Sequence, residues 1–359
     1  MSTERPPADV PGMTLPGMTL PGMTLPAPRT PDPASAPGLR WGLLGAGWIA
    51  AQLADALRGT SQEVVAVGSR DLGRAQAFVA EHAPGARAHG DYAALVTDPQ
   101  VDVVYVASPH SEHLEHALLA IGAGKHVLVE KPMAPTAAEA RQIVAAARSA
   151  GIFCMEAMWT RFLPHIDVLR QVLDAGLLGE VSTVLADHSI PLWPDGPERL
   201  ASPDLAGGAM LDLGIYPLSF ASLALGGLTA AAGLGSLTDR GVDRRLAFVT
   251  QGPTGAVASL ATDMSVSSPT TASVNGTRAR LELDTQFYTP TTIRLVGADG
   301  VVLDEMAGDP VEKHRGLRHE ATEVALRVTA GETESPFMPL DESVRILEVA
   351  EELLRSLRP

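Results

Sequence analysis

Three places in this 359-residue chain bring together residue types that chemistry can use. The first is Gly45-Ala46-Gly47-Trp48-Ile49-Ala50, a glycine turn between an apolar strand-like run and a helix-like one. Gly45 can take a tight turn. Gly47 lets a pyrophosphate approach the backbone, and Ala50 is small enough for close helix–strand packing. The helix N-terminus then offers free N–H groups and partial positive charge, so the stretch reads as a dinucleotide site. The second place follows the next strand, at Ser69-Arg70. An NAD site usually carries an acidic residue there for the ribose hydroxyls. Arg70 can instead pair with a 2′-phosphate and Ser69 can donate to it, which predicts NADP over NAD. Asp71 either binds ribose or caps the next helix. The third place is Glu130-Lys131-Pro132, directly after a fifth strand segment. In an open parallel sheet ligands bind beyond the carboxyl ends of the strands, so Lys131 is aimed at the cleft.

Other reactive residue types carry less. His110, His113 and His116 are three apart, but successive steps of three rotate off one helix face, and no carboxylate or cysteine cluster completes a coordination sphere, so no metal is expected. The single cysteine, Cys154, lies in an apolar run and reads as core; with no internal disulfide available, and no signal-peptide pattern at the N-terminus, a cytoplasmic protein is expected. The net charge of −15 argues against nucleic acid and anionic membrane surfaces as partners. The uncharged stretch after Asp212 is long enough to cross a membrane, but Gly226-Gly227 interrupts it and it is only mildly apolar. It reads as a buried helix to about residue 225, a turn, and a strand over 230–237.

The elements that must position these residues divide the chain. Residues 1–38 contain Pro-Gly-Met-Thr-Leu three times in tandem and many further prolines, and read as a disordered, dispensable Pro-rich tail. Over 39–160 strands and helices alternate, which specifies a doubly wound parallel sheet of the Rossmann kind. Over 161–359 a helix at 165–175 is followed by alternating segments linked by hairpin signals such as Asn275-Gly276, so an α+β domain on a largely antiparallel sheet is expected. It would bind substrate and mediate oligomerisation. The segment 340–357 reads as a helix covering that sheet or returning to the first domain.

Four ordered motifs carry a resemblance. These are the glycine turn at 45–50; Ser108-Pro109-His110-Ser111-Glu112-His113; the run from Gly124 to Glu130-Lys131-Pro132; and Gly207-Gly208 through Asp212-Leu213-Gly214-Ile215-Tyr216. Together they resemble the Gfo/Idh/MocA oxidoreductases over everything from Leu39 onward. The segment from Glu156 to Pro164, with tyrosine at 216, is most similar to the dihydrodiol dehydrogenase and NADP-linked xylose dehydrogenase branch. The resemblance implies hydride transfer between a nicotinamide cofactor and a sugar, polyol or vicinal diol. It implies that Lys131 hydrogen-bonds the reacting oxygen, with Asp212 orienting the site and Tyr216 standing where many relatives carry an acid/base histidine. By the same resemblance the glycine turn with Trp48 and Ile49, then Ser108, His110, His113 and Glu130, border the cofactor, with His113 near the nicotinamide. Trp159 and Arg161 would line the substrate mouth, His188 and Trp193 would stand on the substrate side, and a homo-oligomer is implied. A phenol is a poor base near neutrality, so the nearby ammonium is expected to bring Tyr216 toward the working range. Two other activities share such a scaffold: an NAD-dependent glycosidase without net redox change, and a dinucleotide-binding sensor. Retention of both Lys131 and Tyr216 argues against the sensor.

Overall fold

The computed structural model describes residues 23–308 and 313–357. Its first layer is a six-stranded parallel sheet: β1 (Arg40–Leu44), β2 (Glu63–Gly68), β3 (Arg87–His89), β4 (Val103–Val106), β5 (His126–Glu130) and β6 (Cys154–Ala157), in the order β3-β2-β1-β4-β5-β6. The crossovers are α1 (Trp48–Ala56), α2 (Leu72–His82), α3 (Tyr92–Val96), α4 (His113–Gly122) and α5 (Ala137–Ala150). β4 is buried along its whole length, as a strand covered on both faces must be. Strand order reverses between β1 and β4, and the crevice opens beyond their carboxyl ends. Gly45 ends β1 there with φ +113°, and a Cβ on it would stand 2.9 Å from the Ala107 carbonyl oxygen, so both conformation and space demand glycine.

The second layer is an eight-stranded sheet. It contains β7 (Val181–Ser189), β8 (Ala230–Leu237), β9 (Asp243–Gln251), β10 (Val257–Asp263), β11 (Ala272–Gly276), β12 (Ala279–Leu283), β13 (Ile293–Gly297) and β14 (Val302–Met306), ordered β14-β13-β12-β11-β7-β10-β9-β8. Only β7 and β10 pair in parallel, so the sheet is largely antiparallel, as the hairpin signals indicated. Helices α6 (Pro164–Asp174) and α7 (Ile215–Leu225) belong to this half. The apolar stretch up to Leu225 is indeed core: of the most apolar 18 residues within Pro203–Leu225, 94% are buried inside the protein. α9 (Leu340–Ser356) does both things expected of it. It packs on β8 and also returns to the first sheet, where Glu351 accepts from the Ala137 amide and Asp341 pairs with Arg148.

Two features differ from the sequence expectation. α8 (Leu317–Thr329) was not foreseen, although Leu317, Ala321, Val324 and Ala325 have helical spacing and are buried. Its charged residues obscure that stripe, and two of them, Glu320 and Glu323, are themselves buried. The second concerns the tail. Residues 1–22, with most of the tandem repeat, lie outside the described residues, but residues 23–38 form an arm docked on both layers. The Leu25 amide donates to Asp304, Arg29 grips the buried Asp167, and the Pro33 and Pro37 carbonyls accept from the Ser61 amide and the Gln62 side chain. Proline removes donors but keeps its carbonyl, so an extended Pro-rich segment can still dock by accepting.

Candidate active site

The glycine turn leads straight into α1, and nothing lies within 4 Å of where a Gly47 side chain would point, which leaves the backbone open to a phosphate. Trp48 is 64% exposed beside the turn, its ring edge-on to His314 at 5.0 Å, and Ile49 is partly exposed next to it. Beyond β2, Ser69 is buried and its Oγ accepts from the Asp71 amide. Asp71 caps α2 by accepting from the Arg74 amide at 3.1 Å, which commits its carboxylate to the helix. Arg70 reaches outward to Glu112 at 3.4 Å. Sequence reasoning missed Arg74, whose Nε donates to the Ala46 carbonyl at 3.3 Å. It lies one helical turn after Arg70, and that i,i+4 spacing was the available signal. Ser69, Arg70 and Arg74 thus supply a hydroxyl and two cations at the adenosine end of the turn, a donor set that fits a 2′-phosphate.

The three histidines face different partners. His113, expected at the nicotinamide, has no exposed surface. Its Nδ1 and Nε2 sit 2.9 Å from the carbonyls of Pro132 and Ser108 respectively, so it braces the ends of β4 and β5 from behind the cleft. Burial lowers its pKa to about 4, against the pull of those carbonyls, so near neutrality the ring holds one N–H and donates to one of them. His116 Nδ1 contacts Ser108 Oγ at 2.9 Å, and His110 faces the Ala206 carbonyl at 3.4 Å. Glu130 also turns inward: it accepts from the Tyr105 hydroxyl and, at 3.0 Å, from the Lys131 amide. Its carboxylate supports the backbone that carries Lys131.

Lys131 meets the second domain. Its Nζ donates to the Asp212 carbonyl oxygen at 2.8 Å, lies 3.7 Å from Asp212 Oδ1, and stands 4.8 Å from the centre of the Tyr216 ring. Asp212 and Tyr216 lie together because residues Met210–Gly214 form a π-helical turn that runs into α7. Burial alone would raise the Asp212 carboxyl, but Lys131 and Arg199 hold it at about 2, and Arg199 touches the same Oδ1 at 3.1 Å. The Tyr216 oxygen accepts from Trp159 Nε1 at 3.1 Å. Its phenol is pushed well above the ordinary tyrosine value by burial, with the Trp159 hydrogen bond working against that. This reverses the expectation that Lys131 would bring it toward neutrality: the nearby Glu130 and Asp212 charges also raise it. The resting site therefore holds a protonated phenol beside an ammonium. The hydroxyl spends its lone pair on Trp159 and keeps its own hydrogen free to donate.

Around this pair the structure assembles two further rings, Tyr288, which the sequence did not single out, and His188, which it placed on the substrate side. Tyr288 lies 4.9 Å from Tyr216 between ring centres, and His188 lies 4.4 Å from Tyr288 and 5.2 Å from Tyr216. Trp159 is almost wholly buried, so it acts through the tyrosine and not as an open wall. Arg161 is a correction. Only 2% exposed, it bonds Ser219, the Phe337 carbonyl and Glu342, and ties the loop after β6 to α7 and α9, so its guanidinium is committed to structure and is not open to line a mouth. Trp193 packs in a small apolar cluster with Leu192, Met264 and Val242, apart from Lys131.

Residues 39–158 match the family model described as the oxidoreductase family with an NAD-binding Rossmann fold, and residues 166–282 match the GFO/IDH/MocA C-terminal domain. The trans-1,2-dihydrobenzene-1,2-diol dehydrogenase of Bos taurus is 36% identical over 333 residues, covering 89% of this chain and 97% of the relative. The NADP(+) D-xylose 1-dehydrogenase of Hypocrea jecorina is 34% identical, covering 88% and 91%. Among solved structures, a 3-ketoreductase from Actinomadura kijaniata in complex with NADP and TDP-benzene superposes with a TM-score of 0.74 at 27% identity, covering 89% of this chain and 97% of its own.

Proposed function

The chain belongs to the Gfo/Idh/MocA family of oxidoreductases, and from that membership we propose that it moves a hydride between NADP and a sugar-like or vicinal-diol carbinol at the cleft holding Lys131, Asp212 and Tyr216. Its relatives act on a dihydrodiol and on D-xylose, the D-xylose dehydrogenase with NADP(+), and the superposed 3-ketoreductase holds NADP. The observation that carries the reading is the convergence of Lys131, from the end of a parallel strand, with Asp212 and Tyr216, from the second domain. Bound NADP supplies the hydride acceptor in oxidation and the donor in reduction. Ser69, Arg70 and Arg74 would hold its 2′-phosphate, and the open backbone at Gly47 its pyrophosphate.

The chain's own groups handle the oxygen and the proton. Lys131 directs an ammonium N–H at the reacting oxygen and stabilises the negative charge that builds there. In reduction the Tyr216 phenol gives its proton to that oxygen and becomes a phenolate, which Lys131 and Trp159 stabilise against burial; in oxidation the phenolate, formed once the phenol has lost its proton, takes the carbinol proton. Asp212, ionised throughout the working range, keeps Lys131 aimed. Aldoses, inositols and trans-diols screened with each cofactor, following absorbance of the reduced nicotinamide, test the reading. Net reduced NADP from at least one class supports it, and no turnover with any of them, under conditions where NADP binds, opposes it.

The open face of the second sheet supports an assembly. Leu185, Leu234, Val249 and Val257 are exposed on neighbouring strands and point to one side, separated by small residues such as Ala232 and Ser259. We infer that a second copy covers this face. Sedimentation equilibrium of the full chain tests it, and a monomer at micromolar concentration counts against it.

A further inference from the structure

The turn at residues 198–208 does more than connect β7 to α7. Arg199 projects from it, half-exposed, and places Nη1 3.1 Å from Asp212 Oδ1, the oxygen that also lies 3.7 Å from Lys131 Nζ. The chain holds the turn there by close backbone contact. The Gly208 amide donates to the Leu200 carbonyl and the Gly207 amide to the Ser202 carbonyl, each at 3.0 Å. A Cβ on Gly207 would stand 2.4 Å from the Leu200 oxygen and 2.6 Å from the Arg199 oxygen. One on Gly208, at φ +116°, would stand 1.9 Å from Asp243 Oδ1. The other Asp243 oxygen accepts from the Met210 amide at 2.6 Å, pinning the start of the π-helical turn that carries Asp212. The double glycine thus presses Arg199 and Asp212 together, and the same turn reaches the first domain where the Ala206 carbonyl meets His110.

We propose that Arg199 is a positioning residue for the reaction: by occupying the outer side of the Asp212 carboxylate it leaves Lys131 on the Asp212 carbonyl, with ammonium N–H groups free for the reacting oxygen. The two cations compete for Asp212. One carboxylate oxygen serves two cations, and the arginine is the nearer. Without Arg199 the ammonium moves onto the carboxylate, and the substrate oxygen then competes with a full negative charge for its hydrogens. The inference rests on the reading of Lys131 as the group that meets the reacting oxygen.

A pH profile separates this role from mere support of the fold. The Asp212 carboxylate is faced by Lys131 from the loop after β5, Arg199 from the turn, His110 from the loop after β4, His188 from β7 and Tyr216 from its own helix. Held at about 2, it stays ionised across the working range, and burial keeps His110 and His188 neutral down to about 3 and 4. A carboxylate's contribution is present above its pKa and lost as pH falls through it. Removing a cation raises that pKa, so the loss moves to higher pH.

The experiment measures kcat, both KM values and the pH dependence between about 5.5 and 8 for the parent, Arg199→Met and Arg199→Lys, using the best substrate found, with folding checked by chemical denaturation. Expected are a kcat lowered roughly tenfold or more in the methionine variant, an unchanged KM for NADP, a rate that recovers toward acid pH, where the parent is flat, as the Asp212 carboxylate takes a proton and releases Lys131, and a flat profile restored by lysine. A methionine variant with parental kcat, or with reduced kcat and a profile parallel to the parent, overturns the proposal. Arg199→Gln carries the same comparison should the methionine variant not fold. Lys131→Met separates the two levels: parental kcat there sinks the underlying reading, whereas loss of activity there with a parallel Arg199→Met profile sinks this inference alone.

Discussion

Replacing Tyr216 by phenylalanine removes one oxygen that does two jobs, and the two consequences are measurable separately. The hydroxyl is the proton donor proposed for the reacting oxygen, and general acid–base groups contribute roughly 100- to 10,000-fold. That corresponds to about 3–5.5 kcal/mol at 1.36 kcal/mol per tenfold. The hydroxyl is also the acceptor for Trp159 Nε1 at 3.1 Å, inside a site where both rings are buried. An orphaned buried donor costs about 1–3 kcal/mol. Tyr216→Phe should therefore lower kcat by two to four orders of magnitude, roughly as estimated above, and lower unfolding free energy by about 1–3 kcal/mol. KM for NADP should change little, because the glycine turn and Arg74 lie on the other side of the cleft. Initial rates by nicotinamide absorbance give the first quantity, and urea titration gives the second. Trp159→Phe alone and together with Tyr216→Phe closes a double-mutant cycle, in which the stability losses should fall short of additive by about 0.5–3 kcal/mol. A Tyr216→Phe enzyme with near-parental kcat would falsify the assignment of proton transfer to this hydroxyl, whatever its stability.

Lys131→Met should cost a comparable factor in kcat, and its loss should not add to that of Tyr216→Phe, since the two act on one oxygen; additive losses in the double variant would show independent roles. Arg70→Ala and Arg74→Ala should each raise KM for NADP more than for NAD, and the pair more than either; equal effects on both cofactors would remove the 2′-phosphate from the argument. Deleting residues 1–37 should destabilise the protein, because Ser61 and Gln62 lose acceptors worth roughly 0.5–1.5 kcal/mol each and Asp167 loses Arg29; an unchanged melting temperature would show that the arm's contacts contribute nothing.

The sequence by itself determined what depends on neighbours along the chain. Alternating apolar runs and helical stripes specified the parallel sheet, because a βαβ unit is written within about 30 residues. The glycine turn was legible for the same reason: Gly45 needs its positive φ and Gly47 its open backbone whatever surrounds them. Lys131 could be aimed at the cleft because it follows a strand of known direction. Tertiary structure decided everything that depends on partners far away in sequence. Lys131 and Asp212 are 81 positions apart, and no local pattern says that Arg199 shares that carboxylate. Arg161 reads as a free cation until Ser219 and Glu342 close around it. His113 and Glu130 sit in motifs that point at a cofactor, and only the folded chain shows that their side chains also brace the ends of β4 and β5. The docked arm was illegible because a proline-rich stretch has no apolar period, while its contacts are made by backbone amides and carbonyls and by the single side chain of Arg29. The Tyr216 phenol shows the principle most sharply. Its residue type and its lysine neighbour suggest a lowered pKa, but desolvation is set by the whole packed environment, and burial outweighs the pair.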